Sequence, residues 1–343
     1  MNKVANFNKK SKNNADVDFD RTPLLTRLRA KFINLYTVKN IVWYLFRFLL
    51  LVGVSYIILF PFFSKVSSSF MSETDFVDVT VRLIPKSPTF QTYEAILSEN
   101  NYFLAFGNTF ALSLVCAVLQ TFVCCFIGYG FAKFKFKGSG ILFLLVIFTM
   151  IVPHSTLKLS MFLNFKDFDI LGIFGLLHKI GLLERPGIPM LDTNWPLWIL
   201  SITGLAFKNG LFIFLMRQFY RGIPDELEES AYLDGSGVYK TFFTIIIPLS
   251  VTMIVTVFMF AFCWQWTDTF YSSLFYTQTG PVLLNKIIKV PDTLSELSES
   301  SSALFGSAVK NTCGILIIIP LVVMYLFGQK YIVQGIERSG ITG

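Results

Sequence analysis

Residues 106–131 read FGNTFALSLVCAVLQTFVCCFIGYGF, a run without a single Asp, Glu, Lys or Arg. About 20 predominantly apolar residues are enough to cross the hydrocarbon core of a bilayer as a helix. Hydrocarbon offers no partners to backbone polar groups, so an apolar run of this length must be helical. The period-2 alternation of a barrel strand is missing. Five further segments meet the same test: 41–63, 140–161, 195–216, 249–276 and 308–328. The expected fold class is an all-α integral membrane protein with six transmembrane helices. Composition agrees with this. Apolar residues make up 53 % of the 343 positions and charged residues only 15 %, with a mean hydropathy of +0.59. A soluble domain carries about 25 % charge. The 38 Phe residues exclude a disordered chain, and five Cys are too few for a disulfide-stapled module.

Lys and Arg set the orientation. With the N-terminus inside, the inner segments hold 17 of the 29 basic residues and the outer segments 9. The N-terminal tail and the run Lys133, Lys135, Lys137 carry the difference, and both termini are expected in the cytoplasm. Residues 1–40 form a basic tail, expected to be disordered up to Asp20. From Thr22 to Asn40 it is either an amphipathic helix on the inner leaflet or an extended basic tail. The first span lies too far in and is too long to read as a cleaved signal peptide. Residues 41–343 constitute the membrane domain. Between spans three and four, the run Ile170 to Leu183 is too short and too glycine-punctuated to cross. It is read as an interfacial or loop helix outside the membrane.

Much chemistry is missing from the sequence. There is no glycine-rich Gly-Lys-Ser/Thr loop to wrap phosphates. Only His154 and His178 are present, on different segments, so neither a histidine-based metal site nor a His-centred triad is supported. The five Cys lie within spans and read as buried, inert thiols. A pI of 9.1 comes with no basic patch on a soluble fold, so nucleic acid is not an expected partner. Uphill movement would draw on an ion gradient or on a partner chain.

A gradient leaves ionisable groups inside spans, each costing about 2.5–3.5 kcal/mol on insertion scales. Arg47 and Lys310 sit near span ends and can snorkel. Lys208 lies mid-span in the fourth segment, and Asp268 follows Trp264, Gln265, Trp266 and Thr267 in the fifth. Three readings stand together: Lys208 and Asp268 pair, or they relay a proton or cation, or they are polar gate or pathway residues. Trp264 and Gln265 belong to the same candidate pathway.

The most specific stretch is the cytoplasmic loop 217–248. It reads as a short helix, a glycine break and a second helix. Pro224 suits a first helical position. Asp225, Glu226, Glu228 and Glu229 then sit where the helix dipole favours anions. Gly235 can end the helix in a left-handed conformation. Val238, Phe242 and Ile245 mark one face of the next stretch, which Pro248 ends. The bland alternative is a solvated acidic loop.

Glu229-Ser230-Ala231, then Gly235, then Ile245-Ile246-Ile247-Pro248 resembles the EAA loop of the membrane subunits of binding-protein-dependent ABC importers. Ser230 and Ile247 replace Ala and Leu of that pattern. The resemblance extends from about Val42 to the end. Asn108-Thr109 resembles the Asn-Ser opening of span two. Gly128-Tyr129-Gly130-Phe131-Ala132-Lys133 resembles the family's G-Y-A-F-A-R turn. Phe214-Leu215-Met216-Arg217-Gln218-Phe219 resembles F-L-M-R-Q-F, and Trp266-Thr267-Asp268 resembles W-N-D. Gln329-Lys330-Tyr331-Ile332-Val333-Gln334-Gly335 resembles Q-R-Y-F-V-x-G. These motifs are typical of the carbohydrate-uptake branch and its maltose-type G permease. The chain departs in its long tail, in an insertion around Asn164–Phe174, and in Glu184-Arg185 where the family has Asn-Thr.

The resemblance implies a type I importer half that imports a sugar or oligosaccharide across a prokaryotic plasma membrane. Its implied partners are a second related permease, a cytosolic ATPase dimer and an extracytoplasmic binding protein that touches loop 277–307. ATP and Mg would be held by the ATPase, so this chain would be no enzyme and would bind no cofactor. The ATPase-coupling residues implied are Glu229, Ser230, Ala231, Asp234, Gly235 and Pro248. Glu229 would make the charged contact, Ala231 would be small for close approach, and Gly235 would allow the turn. Residues Ile336–Gly343 resemble a family tail that reaches toward the ATPase. The alternatives are an ion-coupled transporter using Asp268 and Lys208, or ABC import of a polyol derivative such as glycerol phosphate.

Overall fold

The computed structural model describes residues 35–277, 280–295 and 303–338. Described residues form helices, turns and one isolated antiparallel bridge, Phe168 to Ile188. The expectations for residues 1–34, for part of loop 277–307 and for the last five positions lie outside the described residues. The chain divides into two compact units, one up to Phe63 and one from Ser64 onward.

Helix α1 (Leu35–Ser68) supplies the whole described part of the first unit and enters the second. None of its most apolar window is buried. It has 34 residues, about 51 Å at 1.5 Å per residue, more than a bilayer core needs.

The second unit is organised around helix α4 (Tyr102–Lys133), reached through the short helices α2 (Glu73–Val77) and α3 (Gln91–Glu99). α4 packs against α8 (Trp195–Ile202), α9 (Asn209–Arg221) and α12 (Val251–Trp266). At its tightest crossing, a Cβ added to Gly128 would stand 2.6 Å from Cβ of Met216. Only glycine lets the two backbones approach this closely. The largest core runs through Ala117, Cys124, Tyr129, Phe212, Met216, Tyr220, Phe242, Met253 and Val257. All five Cys are free, and four are buried.

Helix α14 (Ala303–Arg338) is continuous over 36 residues despite Pro320. Proline has no N–H for the carbonyl four residues earlier. That carbonyl, Leu316 O, accepts the Tyr102 hydroxyl at 3.1 Å, and Ile317 O accepts Trp266 Nε1 at 3.0 Å. Neighbouring helices thus supply what proline withholds, as hydrocarbon cannot.

Three of the expected spans are continuous helices long and apolar enough to cross: within α1, α4 and α14. The others are broken. The third splits into α5 (Ser139–Ile151) and a run beginning at His154 that continues as α6 (Lys158–Lys166), bent by 92°. The cause is Pro153, which pushes Val152 into extended backbone. The expected fourth span is interrupted between α8 and α9 by Thr203–Lys208, where Gly204 and Lys208 take φ of +75° and +70°. The fifth bends by 80° at Ser250 and stops at Trp266, resuming as α13 (Phe270–Phe275). Between spans three and four the loop helix exists as α7 (Ile173–Lys179), shorter than expected. Leu171 and Gly172, both at positive φ, turn the chain just before it.

Candidate functional site

Two regions collect the candidate residues. The first is the elbow between α9 and α12. Helix α10 (Glu226–Leu233) begins after Asp225, with Pro224 just ahead of the helix rather than in its first turn. Asp225 O accepts the N–H groups of Glu228 and Glu229, both at 3.0 Å. At the other end Ser236 N–H reaches Ala231 O at 2.9 Å and Gly235 N–H reaches Tyr232 O at 3.0 Å. With Gly235 at φ +80° this is a Schellman stop. No atom lies within 4 Å of a Cβ built at Gly235, so backbone conformation alone calls for glycine there.

The acidic cluster of α10 is not uniform. Glu229, Ser230 and Asp234 are exposed, as is Leu233 at 89 %. Ala231 and Glu228 turn inward, each 6 % exposed. Glu228 Oε1 lies 3.2 Å from Lys133 Nζ, and its Oε2 accepts the Tyr129 hydroxyl at 2.9 Å. Lys133 also donates to Asp225 Oδ1 at 2.5 Å and to Ile223 O at 2.6 Å. The Lys133 ammonium holds the Asp225 carboxyl below the usual carboxylate range. Sequence reasoning missed this joint because it assigned all four acids to the dipole. The available signal was helical spacing, since Glu228 and Ala231 fall on one face.

After Gly237, α11 (Val238–Thr241) runs into a π turn, Phe242–Ile246. Of the expected face Val238, Phe242 and Ile245 only Phe242 is buried; Thr241 and Ile246 are buried with it, while Val238 is exposed. The wider π turn shifts the phase of the helix. Pro248, itself exposed, cannot donate to the preceding turn, which fits that loosening. The Tyr129 ring meets Phe242 at a tilt (4.8 Å) and Tyr220 edge-on (5.7 Å), so one side chain touches both the elbow and α9.

The second region is a cavity of about 160 Å³ whose walls include Gln120, Phe207, Trp264, Gln265, Asp268 and Tyr271. Lys208 and Asp268 do not pair. Among the described residues the ion pairs are Lys86–Asp78, Lys133–Asp225 and Lys133–Glu228. Lys208 Nζ instead sits 4.8 Å from the ring centroids of Phe207 and of Trp264, where the ring quadrupoles attract it. Asp268 accepts the N–H groups of Tyr271 at 3.1 Å and Ser272 at 2.8 Å, which spend its charge on the start of α13.

Among the described residues, a set of apolar helices, several broken beside a small cavity, and a braced elbow define a multi-pass membrane protein. Residues 124–338 match the family model described as binding-protein-dependent transport system inner membrane component, and the chain belongs to that family. Relatives span nearly its whole length. The inner membrane ABC transporter permease protein YcjP of Escherichia coli is 26 % identical over 295 residues, 84 % of this chain and 92 % of that one. The galactooligosaccharides transport system permease protein GanQ of Bacillus subtilis is 27 % identical over 323 residues, 89 % and 98 % of the two chains. Among solved structures, a chain of a bacterial ABC transporter involved in the import of the acidic polysaccharide alginate superposes with a TM-score of 0.65. It has 19 % identity and covers 85 % of this chain and 97 % of its own, a likeness of fold.

Proposed function

We propose that this chain is one half of the membrane pathway of an ATP-driven importer of a sugar or oligosaccharide. It pairs with a second permease in a prokaryotic plasma membrane, with both termini inside, and an extracytoplasmic binding protein delivers the substrate. A cytosolic ATPase dimer holds ATP and Mg and hydrolyses the nucleotide. Its closure pushes α10, and the push switches the pathway by rigid-body motion of packed helices. The observation that carries this reading is α10 itself. It is fixed from behind by Lys133 and Tyr129, yet it presents Leu233, Glu229 and Ser230 outward. A rigid strut with an exposed apolar and acidic face is what a cytosolic motor needs to grip. Relatives named for galactooligosaccharides and arabinooligosaccharides support saccharide as the cargo class.

The test is gentle purification of the tagged chain, followed by reconstitution with its binding protein. The expected result is co-purification of an ATPase and a second permease, with ATP-dependent saccharide uptake that ionophores leave intact. Uptake that collapses with the ion gradient while ATP is saturating would refute the proposal.

A further inference from the structure

The gaps of three broken spans open on one place. The chain leaves helix at Val152, at Thr203–Lys208 and at Thr267–Thr269. Side chains from these gaps and their flanks meet. The His154 ring is 4.8 Å from Phe207 and 6.1 Å from Tyr271, and Phe207 is 5.3 Å from Trp264. Phe207, Trp264 and Tyr271 are walls of the 160 Å³ cavity. Non-helical backbone at membrane depth is tolerated only inside protein or against a hydrated cavity, and discontinuous helices are where transporters place their ligands. Pro153 explains one gap locally. It does not explain why the other two face the same space.

A second observation is independent of the backbone. Tyr271 is only 2 % exposed, and its hydroxyl has no hydrogen-bond partner. A buried hydroxyl left unpaired costs about 1–3 kcal/mol. The wall around it holds the amides of Gln120 and Gln265 and the carboxylate of Asp268, and Trp264 contributes a half-exposed indole. The Lys208 ammonium lies over one face of that indole, 4.8 Å from its centroid. One cation and one carboxylate leave the region without net charge. A ligand with one apolar face and a rim of hydroxyls matches this set: the C–H face lies on Trp264 and the hydroxyls meet the polar groups. The volume is well below the roughly 300–1,000 Å³ of sites for drug-sized ligands, so one ring fits at a time.

We infer that this chain itself carries a substrate subsite for a single neutral sugar ring, with Trp264 as platform and Gln120, Gln265, Asp268 and Tyr271 as hydroxyl partners. The inference rests on the importer reading and adds that this permease, not its sister alone, touches the cargo.

The test uses the isolated complex in liposomes with its binding protein. ATP-driven uptake is first measured for maltose, cellobiose, xylobiose, galactobiose and digalacturonate. The sugar that is transported is then used to protect a Thr267→Cys variant from a water-soluble methanethiosulfonate, with the wild-type cysteines as background. The expected result is a transported neutral disaccharide that slows modification several-fold, together with a Trp264→Ala variant whose KM rises about tenfold while Trp264→Phe keeps most affinity. A transported neutral sugar that gives no protection overturns the subsite and leaves the importer reading standing. Transport of digalacturonate alone overturns the neutral class. Transport of none of the panel by a complex that contains its ATPase removes the saccharide reading, and the subsite with it.

Discussion

Lys133 and Glu228 face each other at 3.2 Å, with 7 % and 8 % of their side chains exposed. One closes the last turn of the central helix and the other sits on the helix of the cytoplasmic elbow. The pair therefore ties the point where a motor would push to the helix around which the second unit is packed. Replacing one partner of such a pair leaves the other buried and uncompensated, at a cost of about 3–5 kcal/mol. Lys133→Met should lower the melting temperature of the purified chain. It should also let ATP hydrolysis run with less uptake per ATP, because α10 can yield without moving α4. Glu228→Gln keeps an acceptor for Tyr129 and should be milder. An uptake-to-hydrolysis ratio unchanged in a well-assembled Lys133→Met complex would show that the joint transmits nothing.

Asp225 extends the same joint into solvent, and its carboxyl is depressed by the Lys133 ammonium. A depressed acid contributes stability above its unfolded pKa, about 3.9. That contribution fades as pH falls through the lower folded value. Wild type and Asp225→Asn should therefore differ by a constant amount in melting temperature above about pH 5 and converge below about pH 4. A gap that widens on acidification would contradict the sign.

Much of this was legible in the sequence, for reasons that differ by element. The apolar runs of α1, α4 and α14 announce themselves because hydrocarbon forces helix on any such run. Pro153 marks the break of the third span in plain letters. The gap at Thr203–Lys208 is marked only in part: Gly204 signals a break, but the second residue at positive φ, Lys208, is not a glycine. Elbow, glycine stop and acidic helix followed from spacing. The division of labour among the acids did not, since burial of Glu228 depends on Lys133, which lies 95 positions away in the chain. Lys208 and Asp268 show the same limit. Composition places two opposite charges in adjacent spans, but only the local backbone tells that Asp268 accepts the N–H groups of Tyr271 and Ser272 rather than pairing with Lys208.

Gly235 separates conformation from contact. Its φ of +80° costs an ordinary L-residue about 1–2 kcal/mol, and nothing crowds its Cβ position. Asn visits this region more readily than other residues. Co-purification of the ATPase should thus fall in the order Gly, Asn, Ala, Val, with Gly235→Val far lowest. Equal recovery with Asn and Val would mean that the left-handed stop does not matter for docking.

Glu229 is exposed on the outer face of α10, one position from the buried acid. Glu229→Lys should leave melting temperature within about 0.5 kcal/mol equivalent of wild type, as surface changes do. Uptake should nevertheless collapse if Glu229 meets the motor as proposed, since its charge is reversed. Glu228→Gln should lower stability more, and Glu229→Lys should lower transport more, so measuring both variants side by side tests the assignment of inner and outer faces.

Tyr102 and Pro320 make the sharpest two-residue test. Pro320 withholds an N–H from Leu316 O, and the Tyr102 hydroxyl fills that place at 3.1 Å. In hydrocarbon no water can substitute, so Tyr102→Phe should cost about 1–3 kcal/mol in the wild-type background. Pro320→Ala restores the donor from within α14 itself. In that background the carbonyl is already paired, and Tyr102→Phe should cost little. A double-mutant cycle read by thermal melting in detergent should give a coupling of about 1 kcal/mol or more. Additive losses would mean that the hydroxyl serves packing rather than the orphaned carbonyl, and that α14 tolerates its proline by some other means.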